Sequence, residues 1–172
     1  ETDTEENLHS LFLQTGCTDC MTIVLPTEER VAEMLTGTDH KPDEWVGMMS
    51  VTTHEERLRY TVERLAVIAV MAGARPEHFP VILALGASGR PSLPSSTTSF
   101  ASMMVVNGPV RNEIDMNSGL GALSPVNYAN SVIGRAWTLM SINFGDMRPG
   151  ATFTASTGTT INYNNMCLAE NE

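Results

Sequence analysis

Cys17-Thr18-Asp19-Cys20 is the most chemically loaded stretch of the sequence. Cys-x-x-Cys spacing brings two sulfurs close enough to exchange a disulfide or to share a metal ion. In a redox site the first thiol is usually the nucleophile, acidified by a helix N-terminus or a cation. The expected helix is missing here. Met21 to Leu25 is β-branched and strand-like, and Pro26 would break any helix begun at Cys17. Asp19 between the cysteines also works against a thiolate. A structural zinc site wants four ligands. Only Cys167, His9, His40, His54 and His78 are left to complete one, and no two histidines show a His-x₃₋₅-His spacing. Three readings therefore stand: a functional thiol or metal-bound site at Cys17 and Cys20, a structural zinc site, or inert loop cysteines.

Other candidates lie in loops. His40 follows Thr38-Asp39 and can serve as general base or metal ligand, or simply face solvent. Asn107-Gly108-Pro109 ends the best strand, where open α/β sheets bind ligands. Gly119-Leu120-Gly121 precedes a helix and can form an anion nest or an ordinary turn. It lacks the G-x-G-x-x-G of a dinucleotide site. Asn127 and Asn130 share a face near that helix start, and Arg135 can bind a substrate carboxylate or pair with a buried acid. Ser156-Thr157-Gly158 is a further anion-binding candidate, and Glu170 and Glu172 can bring carboxylates towards Cys167. The sequence has no G-x-S-x-G, P-loop or H-E-x-x-H.

The elements that must position these residues are partly legible. Residues 1–7 read as a solvated acidic arm, and Leu8 to Gln14 as a first strand. Pro26-Thr27-Glu28-Glu29 opens a helix to about Thr36, with Gly37 as its stop. Thr38 to Ser50 reads as a loop. Thr53-His54-Glu55-Glu56 matches a capping box, before apolar residues at a 3.6-residue period from Leu58 to Ala72, closed by Gly73. Arg75-Pro76 restarts a helix, apolar on most sides and hence buried, through Leu85. Ser88 to Ser99 is a long loop, and Phe100 to Val106 a buried strand. Ser124-Pro125 starts a helix carrying Val126, Ala129, Ile133, Ala136, Trp137 and Met140, ended at Gly145 to Gly150. Strand-like pieces follow near Thr152–Ala155 and Thr160–Leu168. Alternating strands and helices predict one α/β domain over 1–172, with a partly parallel, Rossmann-like sheet flanked by helices.

The chain of 172 residues is one ordinary domain long. Such a chain buries about 70% of its unfolded surface, so it needs no disulfide staples. Twenty acidic against ten basic residues give a net charge of −10, which argues against nucleic acid. Lys41 is the one lysine, so Schiff-base chemistry and a polybasic membrane patch are nearly excluded. No run is long and apolar enough to span a membrane, and no signal peptide is read at the acidic start, so the expected location is cytoplasmic. The missing initiator Met and the stop at Ala169-Glu170-Asn171-Glu172 suggest a trimmed chain, a fragment, or one subunit of a larger enzyme.

Several segments taken in order resemble the UGSC-like family, named for a selenocysteine/cysteine-Gly-Ser-Cys motif. They are Gly16-Cys17-Thr18-Asp19-Cys20, Leu25-Pro26-Thr27-Glu28-Glu29-Arg30-Val31, and Val70-Met71-Ala72-Gly73-Ala74-Arg75-Pro76-Glu77. Val106-Asn107-Gly108-Pro109, Ile133-Gly134-Arg135-Ala136 and Cys167-Leu168-Ala169-Glu170-Asn171-Glu172 follow. The resemblance covers most of the chain from about residue 16. It implies Cys17 as the reactive atom with Cys20 as its neighbour, and it supplies a thiol site rather than a reaction. Thr18-Asp19 departs from the family motif. The chain also ends where members continue, which suggests a split enzyme or a heteromeric partner.

The leading expectation is a thiol-dependent enzyme or enzyme subunit acting on a small polar or anionic molecule. Cys17, Cys20 and His40 would be catalytic, with Asn107, Gly108, Gly119, Gly121, Asn130 and Arg135 holding the substrate. The first alternative is a metal-dependent lyase or hydratase subunit with the cysteines as ligands. The second is a non-catalytic subunit of a heteromer. A homo- or hetero-oligomer is expected in each case.

Overall fold

Three threonines start three helices in the same way. The side-chain oxygens of Thr4, Thr27 and Thr61 accept from the backbone N–H of Asn7, Arg30 and Arg64, satisfying one orphan donor of each first turn. The resulting helices are α1 (Glu5–Gln14), α2 (Glu28–Leu35) and α3 (Val62–Ala72). Glutamates in each first turn complement the helix dipole. The computed structural model describes residues 4–49, 58–92, 102–148, 150–152 and 166–172.

The rest of the chain adds β1 (Trp45–Met48), β2 (Arg59–Thr61), a 3₁₀ turn at Pro76–His78, α4 (Phe79–Ala87) and β3 (Met103–Val106). After these come α5 (Val110–Glu113), α6 (Tyr128–Phe144) and β4 (Met166–Ala169). β1 and β2 pair antiparallel, with a bulge between Trp45 and Gly47. β3 and β4 pair parallel, Met103 opposite Met166 and Val106 opposite Ala169. The fold is therefore mixed helix and strand, with one small sheet parallel, as expected. α5 and α6 lie between β3 and β4 in the chain, a crossover connection of the kind a parallel pair requires.

α3 and α6 form the centre, with α2 and α4 on α3 and β4 on α6. Leu65, Ala66, Ala69, Ile133, Ala136, Leu139 and Met140 are fully buried between these elements. Tyr60 is buried too, stacked on Phe144 at 4.6 Å, and its hydroxyl donates to the Gly86 carbonyl at 2.6 Å. Burial pushes the Tyr60 hydroxyl up to about 12. Gly37 has a packing role. A Cβ there would lie 2.1 Å from the Pro76 carbonyl oxygen, so the end of α2 approaches the 3₁₀ turn only without a side chain.

Several expected elements come out differently. Glu5 to Gln14 is a helix, not an arm and a strand, because Thr4 caps it. Met21 to Leu25 forms no strand and pairs in no sheet among the described residues; the Val24 N–H donates to the Met71 carbonyl near the end of α3. The Thr38–Ser50 loop contains β1. α3 begins at Val62 rather than near Leu58, since Thr61 caps it and Arg59–Thr61 pairs with β1. α6 begins at Tyr128 with Asn127 at its cap, and Val126 lies outside at φ 75°. β3 is not buried on both faces: Met103 and Val105 are exposed. The Thr53–Glu56 capping box, residues 93–99 of the long loop, Phe100, Ser156-Thr157-Gly158 and the strand pieces from 153 to 165 lie outside the described residues. No helix among the described residues is long and apolar enough to cross a membrane.

Candidate functional site

The cysteine loop is held from both ends of the chain. α1 closes at Thr15, and Gly16 turns the backbone at φ 69°. Cys17 is half-buried, its sulfur 3.4 Å from the Phe12 carbonyl oxygen and 3.1 Å from Thr15 Oγ1. Its thiol thus donates into the carbonyl end of α1, not an amide end. Thr18 is buried and its Oγ1 accepts from the Cys20 N–H at 3.2 Å. Cys20 is exposed and holds φ 64°, a conformation uncommon for a residue with a Cβ.

Asp19 does what its sequence position did not suggest. Its carboxylate takes Arg135 Nε at 2.9 Å and Nη2 at 3.0 Å, and it also accepts from the Met21 N–H at 3.3 Å. Arg135 Nη2 donates further to the Thr22 carbonyl at 2.8 Å. Asn143, two turns along α6 from Arg135, donates to the Cys17 carbonyl at 2.9 Å. One face of α6 therefore clamps the loop at residues 17, 19 and 22. This corrects two expectations. Arg135 is committed to Asp19 rather than open to a substrate carboxylate, and the Asp19 charge is matched, so it does not oppose a thiolate.

Cys20 lines a cavity of about 310 Å³ together with Glu6, His9, Phe12, Leu13 and Thr18. His9 Nε2 lies 3.7 Å from Glu5 Oε1, one turn back on α1. The cavity thus has an exposed thiol and an imidazole among its walls. The sequence offers His9 only as a zinc ligand. Its face of α1 stays invisible while that segment reads as a strand.

The end of β3 forms the second locus. Asn107 lines a cavity of about 980 Å³ with Met103, Met104, Val105, Val106, Val110 and Trp137 among its walls. Gly108, at φ 81°, turns its N–H onto Glu172 Oε1 at 2.7 Å, and Arg111 Nη2 reaches Glu172 Oε2 at 3.1 Å. The Gly108 amide and then the Arg111 guanidinium hold the Glu172 carboxyl below its usual range. Glu172 is expected beside Cys167, and the structure sets it on Gly108 instead. Arg111 escaped the sequence reading; its signal was a basic residue three positions after a strand-ending glycine.

The Gly119/Gly121 loop is tied up internally. The Gly119 N–H donates to Asn117 Oδ1 at 2.8 Å, so it is not aimed at an external anion. Gly121 stands at φ 75° and its carbonyl accepts from Asn127. Asn130 is buried and bonds Asn117 and Ala122 through both ends of its amide. These residues build the loop rather than present open groups to a substrate. His40 pairs with Glu44 at 2.9 Å on a separate cavity lined by Trp45 and Val62, away from the cysteine cavity's walls.

Cys167 is buried in β4, opposite Met104, and burial pushes its thiol up to about 12. A metal ligand must be a thiolate, so this setting is a poor one. Among the described residues no three His, Cys, Asp or Glu side chains gather as a metal ion requires, so Cys17, Cys20 and Cys167 do not form the expected ligand set. All three cysteines are free thiols.

No protein-family model, curated protein or solved structure matches the chain.

Proposed function

We propose a thiol-dependent enzyme, or subunit of one, acting on a small polar molecule, with Cys20 as nucleophile and His9 as its base. The observation that carries this reading is the shared cavity, where exposed Cys20 and His9 line the same walls. A nucleophile with a base on the same cavity is the core of a thiol enzyme's site. His9 takes the thiol proton as the sulfur adds to an electrophilic carbonyl carbon, and the π electron pair of that carbonyl moves onto its oxygen. Cys17, the other thiol of the motif, is the second sulfur for a redox variant of the chemistry. The resemblance to the UGSC-like family supports a thiol site and favours Cys17; exposure and cavity favour Cys20. In the same reading the β3–α6–β4 unit is the Rossmann-like part of the fold.

Mapped alkylation tests this. Iodoacetamide is expected to modify Cys20 ahead of Cys17 and Cys167, with mass spectrometry locating the adduct. In His9→Gln, labelling of Cys20 is expected to slow by about tenfold or more. Equal rates in the parent and His9→Gln would remove His9 from the reading, and preferential modification of Cys17 would return the reactive role to it.

A second reading has its own observation. Leu120, Leu123 and Val126 stand exposed on one loop, with Val126 projecting at φ 75°. Such an apolar cluster favours contact with another subunit. Analytical ultracentrifugation of Leu120→Ser/Leu123→Ser against the parent tests it; an unchanged assembly state in a chain that does assemble removes this loop as the contact.

A further inference from the structure

Arg135 and Arg111 each hold a carboxylate distant in sequence, and they do so unequally. Arg135 presents Nε and Nη2 side by side, and Asp19 fills both positions at 2.9 and 3.0 Å. Arg111 reaches Glu172 through Nη2 alone. Its Nε is buried and has no hydrogen-bond partner among the described residues. A buried unpaired donor is costly and rare in native proteins. The side-on fork completed at Arg135 is half-made at Arg111, because the Glu172 carboxylate spends its other oxygen on the Gly108 N–H.

The position of this fork gives it meaning. Gly108 and Arg111 follow the carboxyl end of β3, a strand in a parallel pair, where α/β sheets bind their ligands. Their chain neighbours Asn107 and Val110 line the cavity of about 980 Å³. The walls along β3 are Met and Val, so the cavity offers an apolar body; Gly108 and Arg111 are not themselves in its walls but adjoin Asn107 and Val110, which are. Amphipathic pockets of this kind, mostly apolar with a few convergent polar groups, are built for small molecules.

We infer that the Gly108 N–H and the Arg111 guanidinium form a carboxylate-binding site, and that Glu172 occupies it as an internal stand-in for a small amphipathic carboxylate. A ligand not tethered to the chain can take the Nε/Nη2 fork as Asp19 does at Arg135, while its apolar tail enters the cavity. Glu172 is then a competitor built into the fold. This inference uses none of the thiol-site residues and stands or falls apart from that proposal.

Octanoate is the probe, with 1-octanol as the tail-matched control that lacks the charge. In ¹⁵N-labelled protein, octanoate is expected to shift the Gly108 amide resonance together with those of the cavity wall, Val106 and Asn107 among them, and octanol only those of the wall. Glu172→Gln removes the charge and one acceptor oxygen of the internal competitor. If Glu172 fills the cradle about nine-tenths of the time, octanoate binding tightens about tenfold in that variant. Arg111→Lys keeps the charge but loses the fork, so octanoate weakens while octanol does not change. A gain of affinity in Glu172→Gln cannot come from misfolding, which keeps the test decisive. Equal affinity for octanoate and octanol, an unmoved Gly108 amide, or unchanged octanoate affinity in Glu172→Gln would each overturn the inference.

Discussion

Replacing Asp19 by Asn removes one charge from the clamp on the cysteine loop and changes almost nothing else. The Asp19 side chain is 4% exposed and Arg135 is 18% exposed. Asn keeps an oxygen for the Met21 N–H, so the change isolates the ion pair. Breaking a buried pair costs about 3–5 kcal/mol, because the remaining charge is left uncompensated. Arg135 keeps some water and its bond to the Thr22 carbonyl, so the lower figure of about 2–3 kcal/mol is expected here. For a domain of this size that lowers Tm by about 4–12 °C. Arg135→Met is expected to cost a similar amount. The double variant is expected to cost much less than the sum, since two matched neutral side chains leave no buried charge behind. A double-mutant cycle from urea unfolding measures the coupling, expected at about 1.5 kcal/mol or more. Mapped alkylation adds a functional readout: Cys17 labelling rises in Asp19→Asn, because its loop loses a tie to α6. Additivity of the two variants within about 0.5 kcal/mol would refute the clamp.

Two further outcomes follow from burial and charge. Burial pushes the Cys167 thiol up to about 12, so at pH 8 it is expected to stay unlabelled in the native protein and to appear as a third thiol only in denaturant; three fast thiols in the native state would refute its placement. Glu172 titrates lower in the folded protein than in the unfolded chain. Its contact with Gly108 and Arg111 therefore stabilises fully above the ordinary glutamate value of about 4.3 and is lost as pH falls through the lower folded value. The Gly108 amide shift is expected to report a midpoint below about 4.3 that rises towards it with added salt, and a midpoint at or above that value would break the assignment.

The helices that the sequence announced carry their own punctuation. α2 has Thr27, two glutamates and Gly37; α3 ends at Gly73, which takes the left-handed φ of 84°. α1 has the same punctuation, Thr4 followed by Glu5 and Glu6, but acidic residues near a chain start look like an arm. β1 and β2 were hidden for a different reason. They are four and three residues long, and such short strands exist only because each finds the other. Asn127 displaced Ser124-Pro125 as the α6 start because its side chain is already engaged with the carbonyls of Gly121 and Ser124. Within the candidate site, the cysteines could be found by type and spacing. Their supports could not: Asp19 meets Arg135 across 116 positions, and Gly108 meets Glu172 across 64. Local rules do not reach that far, because only the path of the whole chain brings such residues together.

That long-range pairing also changes what the net charge of −10 implies. An acidic surface repels anions at a distance, so any anionic ligand must be held by a few local donors. Arg75, Arg111, Arg135 and Arg148 each lie against a carboxylate of the same chain, Glu77, Glu172, Asp19 and Asp146. A guanidinium committed in this way can take an external carboxylate only by exchange with the internal one, and Arg111 is the one inferred to do so. Exchange swaps one carboxylate for another, so the net charge in the cradle is unchanged. Binding at Gly108 and Arg111 then depends less on long-range attraction than on how well the incoming carboxylate completes the fork and fills the cavity. Selectivity at such a site belongs to shape and to the Nε/Nη2 geometry, and Arg135 with Asp19 already displays that geometry in its finished form.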